Sequence, residues 1–379
     1  MPTQRSCLYE ALSVSEILSA LEMQGSGVAG ESDKYLAIPG NTGARWLIPA
    51  RSRASISVLG SWRPYSISSQ IKWSAIRIAA RVGVLRFFDS VSSAVVSRTG
   101  ATGWFERCGV PSQQAELVVL VGNPSPDRKL IVFLLDDVHR IAAVLKVGLT
   151  QEGGLTILRE AETLKRLEHY DWAPRVRSIL PDLRAAAQEY VCGSMPNRRF
   201  RPEYMDLLCQ MPRTGLSRKL SDVANELANR LSPFKDQVDK RARDLLNRSL
   251  ACLDLDIAVP TMLVHGDFAP WNIRRNPKAG YVLVDWEWAN FAGLPAHDLL
   301  HFQFCEDRLF DGAGGYSAIM AKPICREYFG RTNVDGKLLP RLAIAYLLNI
   351  LGTEFDQWGS PCTEYGAYLL FQLAAITGL

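Results

Sequence analysis

The sequence lacks the charge excess that would name a partner: 43 Lys and Arg face 39 Asp and Glu, a formal net charge of +4. So small an excess gives no ground for nucleic-acid binding, and none is expected. It also lacks C-x-x-C. The cysteines stand at 7, 108, 192, 209, 252, 305, 325 and 362, with no histidine at metal-ligand spacing from them. A disulfide scaffold does not suit a chain of 379 residues, so reduced, mostly buried thiols are expected. Internal repeats and low-complexity tracts are missing too. Glu10, Glu16 and Glu22 interrupt any signal-peptide core, and no apolar stretch reaches the length of a membrane span. A cytoplasmic protein without a transmembrane segment is expected, and its oligomeric state stays open.

What is present is an ordinary globular balance, 47% hydrophobic and 22% charged. The length suggests roughly two or three domains, with ample material for a core. Charge is uneven: residues 1–110 carry net +5 and the remainder −1. A solvated basic face accounts for that excess.

Residues 7–24 have helical spacing. "GSGVAGESDK" then places Gly25, Gly27 and Gly30 as a formal G-x-G-x-x-G. A dinucleotide fingerprint follows a strand and opens a helix; this one follows a helix and reads as a linker. "KYLAIPGNTGARWLIPA" reads as two short strands around a turn at residues 40–43. Next, Ile67, Ile71, Ala75, Ile78, Val82 and Leu85 recur on one side of a helix, with Lys72, Arg77, Arg81 and Arg86 largely elsewhere. The apolar stripe is expected to pack on its own domain. A membrane or acidic partner is the lesser alternative.

From Glu116 the texture becomes three strands, a helix and two strands. "ELVVLVG", "KLIVFLLDD" and "HRIAAVLKVG" are the first three, the last two joined as a hairpin at residues 136–139. The helix "LTILREAETLKRLEHY" has Leu155, Leu158, Leu164 and Leu167 as its stripe, and "APRVRSIL" and "AAAQEYVCG" complete the run. Residues 202–250 read as helical, with polar breaks at 212–215 and 232–233. After "TMLVHGD" and "YVLVDWEW" the pattern is helical again from about residue 296.

The chemistry concentrates in "LVHGDFAPWNIRRNPKAGYVLVDWEWANF", residues 263–291. Asp267 follows a strand and could accept a proton from a hydroxyl. Asn272 offers an amide oxygen, and Asp285 ends a strand. Such hard oxygen ligands suit Mg²⁺, which takes one or two protein carboxylates and fills its shell with water and phosphate. That combination implies a nucleoside triphosphate. Upstream, Lys146 sits in an apolar strand and needs an anionic partner. Glu160 on the next helix is the preferred one, with Glu162 its competitor. Glu287 is open between a third metal-shell carboxylate and a surface residue. His297 and His301 read as packing residues, and Trp271, Trp286 and Trp288 as core or cleft walls.

"HGDFAPWN" resembles the H-x-D-x-x-x-x-N loop of the aminoglycoside phosphotransferase and choline kinase family, and "VLVDWEW" resembles its metal-binding segment. With Lys146, Glu160 and the strand order, the likeness covers about residues 116–379. It implies an α+β, bilobal protein-kinase-like fold, with a small β-rich N-lobe, a helical C-lobe and an extra N-terminal α/β region. The expected divisions are 1–110, 111–193 and 194–379. It further implies an ATP-dependent, or GTP-dependent, small-molecule phosphotransferase. Asp267 would be the catalytic base, and Asn272 and Asp285 the magnesium ligands. Lys146 would contact the α- and β-phosphates as the ion-pair partner of Glu160. His265 would be structural, and Asp298 would steady the loop. Residues 188–193, with Glu189 and Val191, would form the hinge whose backbone meets adenine. A nucleotide-binding pseudokinase acting as scaffold or sensor is the alternative.

One departure stands out. The phosphate-covering loop "VGNPSPDRK" has only Gly122, and its two prolines remove two backbone donors. Asn123 and Ser125 could add hydrogen bonds there, and Arg128 or Lys129 charge. The acceptor is a small hydroxylated molecule. A polycationic one would call for acidic walls, for which Glu306, Asp307, Asp311, Glu354 and Asp356 are the candidates.

Overall fold

The computed structural model describes residues 12–23, 32–39, 43–50, 58–60, 67–88, 91–194, 198–311, 314–359 and 363–378. The linker with Gly25, Gly27 and Gly30, most of the turn at 40–43, Cys7 and Cys362 lie outside them. The chain forms two compact units: Met1–Ser194 with Asn276–Val282, and Met195–Arg275 with Leu283–Leu379.

The first unit is built on one eight-stranded sheet. Its strands are β1 (Ser32–Ile38), β2 (Trp46–Pro49), β3 (Ser92–Ser97), β4 (Leu117–Val121), β5 (Lys129–Leu135), β6 (Ile141–Gly148), β7 (Val176–Leu180) and β8 (Ala185–Glu189). They run in the order β3-β1-β2-β4-β5-β6-β8-β7. All five residues of β4 are buried. Side chains alternate across a strand, so Leu117, Val119 and Val121 enter one core cluster and Val118 and Leu120 the other. A continuous apolar run is what a strand covered on both faces requires. The strands of the N-terminal region continue this sheet, because β2 pairs with β4 through Trp46↔Leu120 and Leu47↔Val119. β3 and the helix Arg98–Arg107 fall where no element was expected from the sequence.

Two helices turn inward a face that matches their aliphatic spacing only in part; of the second helix's expected stripe, Leu164 and Leu167 are buried. The helix Ile67–Arg81 packs through Trp73, Ile76 and Ala79, leaving Ile71 and Ile78 exposed. Trp73 anchors it: the indole nitrogen donates to the Leu59 carbonyl at 3.1 Å, and the ring lies 5.2 Å from that of Trp46. The helix has two apolar arcs, and the one with the large aromatic surface goes in. In the helix Gln151–Arg166 the buried face is Gly153, Gly154, Ile157, Glu160, Ala161 and Leu164, while Leu155 is exposed. Its glycines set this face. A Cβ on Gly148 at the end of β6 would overlap the Gly154 backbone, so strand and helix start meet where neither has a side chain.

The second unit is mainly helical. A three-stranded sheet, β13-β10-β9, joins β9 (Arg213–Lys219), β10 (Ala258–Val264) and β13 (Asn290–Gly293); the short strands β11 (Ile273–Asn276) and β12 (Gly280–Leu283) fall between β10 and β13 in the chain. β9 begins at the expected polar break. Its residues are largely exposed, so pairing with β10, not hydrophobic alternation, makes it a strand. Residues 336–358 are, contrary to expectation, long and apolar enough to cross a membrane, but over half of that window is buried inside the protein. The helix Leu339–Trp358 buries Leu342, Ile344, Leu347, Leu351 and Phe355 as a core helix does.

Candidate active site

β10 ends at Val264 with its apolar residues buried, and the chain turns at His265-Gly266-Asp267. Asp298, on the first turn of the helix His297–Glu306, fixes that turn. Its two carboxylate oxygens accept from the backbone nitrogens of His265 at 2.7 Å and Gly266 at 2.9 Å. Asp298 is buried, so these bonds supply the charge compensation that water cannot. His265 is buried against Trp286, ring centroids 4.5 Å apart. Its Nδ1 accepts from the Asp267 nitrogen at 3.3 Å, which leaves Nε2–H to donate to the Val284 carbonyl at 3.0 Å. One ring thus ties the turn to the strand end carrying Asp285.

Gly266 has φ +86°, and a Cβ there would overlap the Trp288 carbonyl. Gly266→Ala is therefore expected to destabilise the second unit by about 1–3 kcal/mol or more through backbone strain alone. A denaturation midpoint equal to the parent protein's would contradict this.

The Asp267 carboxylate is held at both oxygens. Oδ1 lies 2.8 Å from His301 Nε2. Oδ2 accepts from Asn272 Nδ2 at 2.8 Å and from Trp271 Nε1 at 3.4 Å. Asn272 Nδ2 also donates to the Asp267 carbonyl at 2.9 Å. Asn272 is placed by the 3₁₀ turn Pro270–Asn272. His301, expected only to pack, is the direct partner of the candidate base. Burial works against its charged form, but the Cys305 sulfur, 3.6 Å away, and the Asp267 carboxylate outweigh it and raise its pKa well above 6.5. In the protonated ring both nitrogens donate, Nε2 to Asp267 and Nδ1 to the Tyr346 hydroxyl at 3.2 Å.

The amide nitrogen of Asn272 is spent on Asp267, so its amide oxygen is the group left to meet a cation. The Val284 nitrogen bonds the Asn272 carbonyl at 2.8 Å, which sets Asp285 one residue past that pairing. Asp285 has φ 71°, a left-handed conformation tolerated by Asp but costly for most residues. Among the described residues no group of three or more His, Cys, Asp or Glu could hold a metal. One carboxylate and one amide oxygen are a hard, sparse set. They fit magnesium, which keeps water and phosphate in its shell, better than they fit zinc.

In the first unit, Lys146 Nζ bonds both oxygens of Glu160 at 2.7 Å, and both residues are buried. Ile131 and Ala186 flank Lys146 in register on β5 and β8. Glu162 is exposed. In the loop before β5, Gly122 donates to the Lys129 carbonyl and has no room for a Cβ beside it. Asn123 Oδ1 accepts from Arg45 Nη2 at 3.0 Å, and Ser125 Oγ donates to the Asn123 carbonyl at 3.3 Å. Arg128 is buried, and its pKa is lowered, first by burial and then by Arg45. Two guanidiniums thus gather at the glycine-poor loop. Arg45 comes from the N-terminal region, and only its position between two short strands could have flagged it. Glu189 ends β8, and Val191 follows it, half-buried.

Residues 132–315 match the phosphotransferase enzyme family, APH. The match contains Lys146, Glu160, Asp267, Asn272 and Asp285, and the glycine-poor loop lies outside it. The likeness to a phosphotransferase family is therefore borne out over residues 132–315, and the antiparallel sheet of the first unit with the helices of the second gives the α+β class. No curated protein matches the chain. Among solved structures, macrolide 2'-phosphotransferase MphH from Brachybacterium faecium is 16% identical, covering 72% of this chain and 96% of its own, at a TM-score of 0.47. Choline kinase LicA from Streptococcus pneumoniae is 12% identical, covering 65% and 89%, at 0.44. Aminoglycoside phosphotransferase APH(4)-Ia, in a complex with ADP and hygromycin B, is 14% identical, covering 73% and 97%, at 0.46. Likenesses this distant name no acceptor.

A cavity of about 520 Å³ within the second unit opens on the phosphotransferase motif, with Asp267 and His301 in its wall. That size suits a small organic ligand. Trp271 and Trp288 line it, as do Tyr346 and Tyr365, whereas Trp286 belongs to the core. The acidic walls expected for a polycation are largely committed elsewhere. Glu306 is buried and accepts from Lys322 Nζ at 3.1 Å. Asp307 caps Gly314 and Gly315, each at 3.0 Å, and accepts from Tyr368 at 2.8 Å. Asp356 pairs with Arg230 at 2.7 Å. Of the five candidates only Glu354 lines the cavity, together with Arg308, whose guanidinium lies 4.1 Å from the Tyr365 ring centroid.

Proposed function

We propose that the protein is a small-molecule O-phosphotransferase that moves the γ-phosphoryl group of ATP, or of GTP, to a hydroxyl of its acceptor. The observation that carries this reading is a carboxylate, Asp267, held at both oxygens in the wall of a ligand-sized cavity. As the acceptor oxygen attacks the γ-phosphorus, Asp267 takes the hydroxyl proton and the bond to the leaving nucleoside diphosphate breaks. Asn272 and Asp285 would hold magnesium, which when bound supplies charge neutralisation at the phosphoryl group. Lys146, oriented by Glu160, would meet the α- and β-phosphates. Arg45 and Arg128 would supply at the loop the charge that glycine amides supply elsewhere. Backbone groups at Glu189 and Val191 would meet the base. The cavity's aromatic walls and balanced charges favour an acceptor with apolar bulk over a polycation.

A thermal-shift titration tests the nucleotide half: ATP and GTP, each with and without Mg²⁺. A ligand that binds only the folded state raises the melting temperature by mass action. A magnesium-dependent rise is expected; no rise with either nucleotide would refute the reading. A rise without transfer to any acceptor in a screen of hydroxylated compounds would favour the pseudokinase.

His301 gives a sharper prediction. Removing a charge-assisted hydrogen bond costs about 1.5–3 kcal/mol, so His301→Leu should lower kcat about 10- to 100-fold, with a smaller change in KM. The pKa of folded His301 is raised above 6.5. Its contribution to stability is then complete below 6.5 and is lost as pH rises through the folded value. Denaturation across alkaline pH should show that loss in the parent protein and less of it in His301→Leu. Identical kcat and identical pH profiles would remove His301 from the site.

A further inference from the structure

The helix Ile67–Arg81 and the residues that follow present a surface that phosphotransfer does not use. Trp73, Ile76 and Ala79 face the first unit's core. At 3.6 residues per turn, Ile71, Ala75, Ile78 and Val82 project within an arc of about 60° on another side. Ile71 is 67% exposed, Ile78 64% and Val82 63%. Beyond the helix, Phe87 is 71% and Phe88 50% exposed. Single exposed apolar residues are ordinary; a helical stripe of them, followed within a few residues of chain by two exposed phenylalanines, marks an interaction surface.

The charged residues within 67–88 have one sign. Lys72 flanks the stripe on one side, Arg77 and Arg81 on the other, and all three are exposed. The Arg86 guanidinium lies 4.8 Å from the Phe87 ring centroid. No Asp or Glu occurs between Asp33 and Asp89, a stretch that carries nine Lys and Arg. A nucleic acid would use the cations but gain nothing from the outward Ile, Val and Phe. A bilayer uses both. Apolar side chains enter the boundary between headgroups and acyl chains while flanking cations meet anionic headgroups.

We propose that this face docks on an anionic lipid surface. The experiment is sedimentation of the full-length protein with vesicles of phosphatidylcholine alone or mixed with phosphatidylglycerol, at low and high salt. Binding is expected only to the anionic vesicles and should weaken with salt. Arg77→Glu with Arg81→Glu should reduce partitioning about 30-fold or more. Phe87→Ser with Phe88→Ser should reduce it about tenfold or more. Both variants alter exposed positions, so their melting temperatures and nucleotide-induced shifts should match the parent protein's. No binding to either vesicle, or equal binding to both, would overturn the proposal. So would a dimer that these variants dissolve, which would assign the face to a second copy of the chain.

Discussion

Asp267→Ala is expected to lower kcat by about 10²–10⁴-fold while magnesium-dependent nucleotide binding persists. The split follows from what the carboxylate touches. Its oxygens bond His301, Asn272 and Trp271; of these only Asn272 is proposed to act on the nucleotide, through magnesium, and its bond to the Asp267 backbone carbonyl survives the substitution. Loss of the carboxylate removes the proton acceptor. It also leaves a buried imidazolium without its anion, at a cost of about 1–3 kcal/mol in stability. Asp267→Asn separates the two effects. The amide keeps the shape and one acceptor oxygen, but it has no proton affinity worth the name. If Asn also reduces kcat at an unchanged melting temperature, the lost function is chemical. Parent-like turnover in both variants would dismiss Asp267 as the base, whatever nucleotide the protein binds.

The parts legible in the sequence are those whose physics is local. β4, β5 and β6 could be read because an apolar run between turn residues has few other uses. The Asp267–Asn272 pair could be read because five residues, one short turn, bring both side chains together. His301 could not: it lies 34 residues beyond Asp267, on a helix buried on nearly every side, where no periodicity singles out one residue. The helix Ile67–Arg81 shows a different limit. Its apolar arcs compete, and only the neighbouring Trp46 and Leu59 decide that Trp73 turns inward. β9 is exposed along its length and owes its form to β10, so its own residues carried no sign of it. The acidic residues of the second unit were countable in the sequence, but their hydrogen bonds were not. Those bonds decide whether a carboxylate caps a helix or faces a ligand.

Lys146→Met is expected to destabilise the first unit by about 3–5 kcal/mol, because it leaves Glu160 charged, buried and unpaired. Glu160→Gln should do comparable harm from the other side. The double variant Lys146→Met, Glu160→Leu should recover most of the loss, since apolar side chains of similar volume replace the pair without a desolvation cost. Ile131 and Ala186 beside Lys146, and Ile157 and Ala161 on the helix, already make that environment apolar. The chain holds two compact units, so the effect belongs to the denaturation transition that these substitutions move, not to a single global midpoint. Exposed Lys165 on the same helix provides the contrast; Lys165→Met should stay within about 0.5 kcal/mol. If the pair serves only the fold, the double variant should also regain the magnesium-dependent shift with ATP. If Lys146 meets phosphate, stability returns and the shift does not. A pair this deeply buried is a poor way to gain stability, so a fold that keeps it has a use for the lysine, and the double variant shows whether that use is the nucleotide.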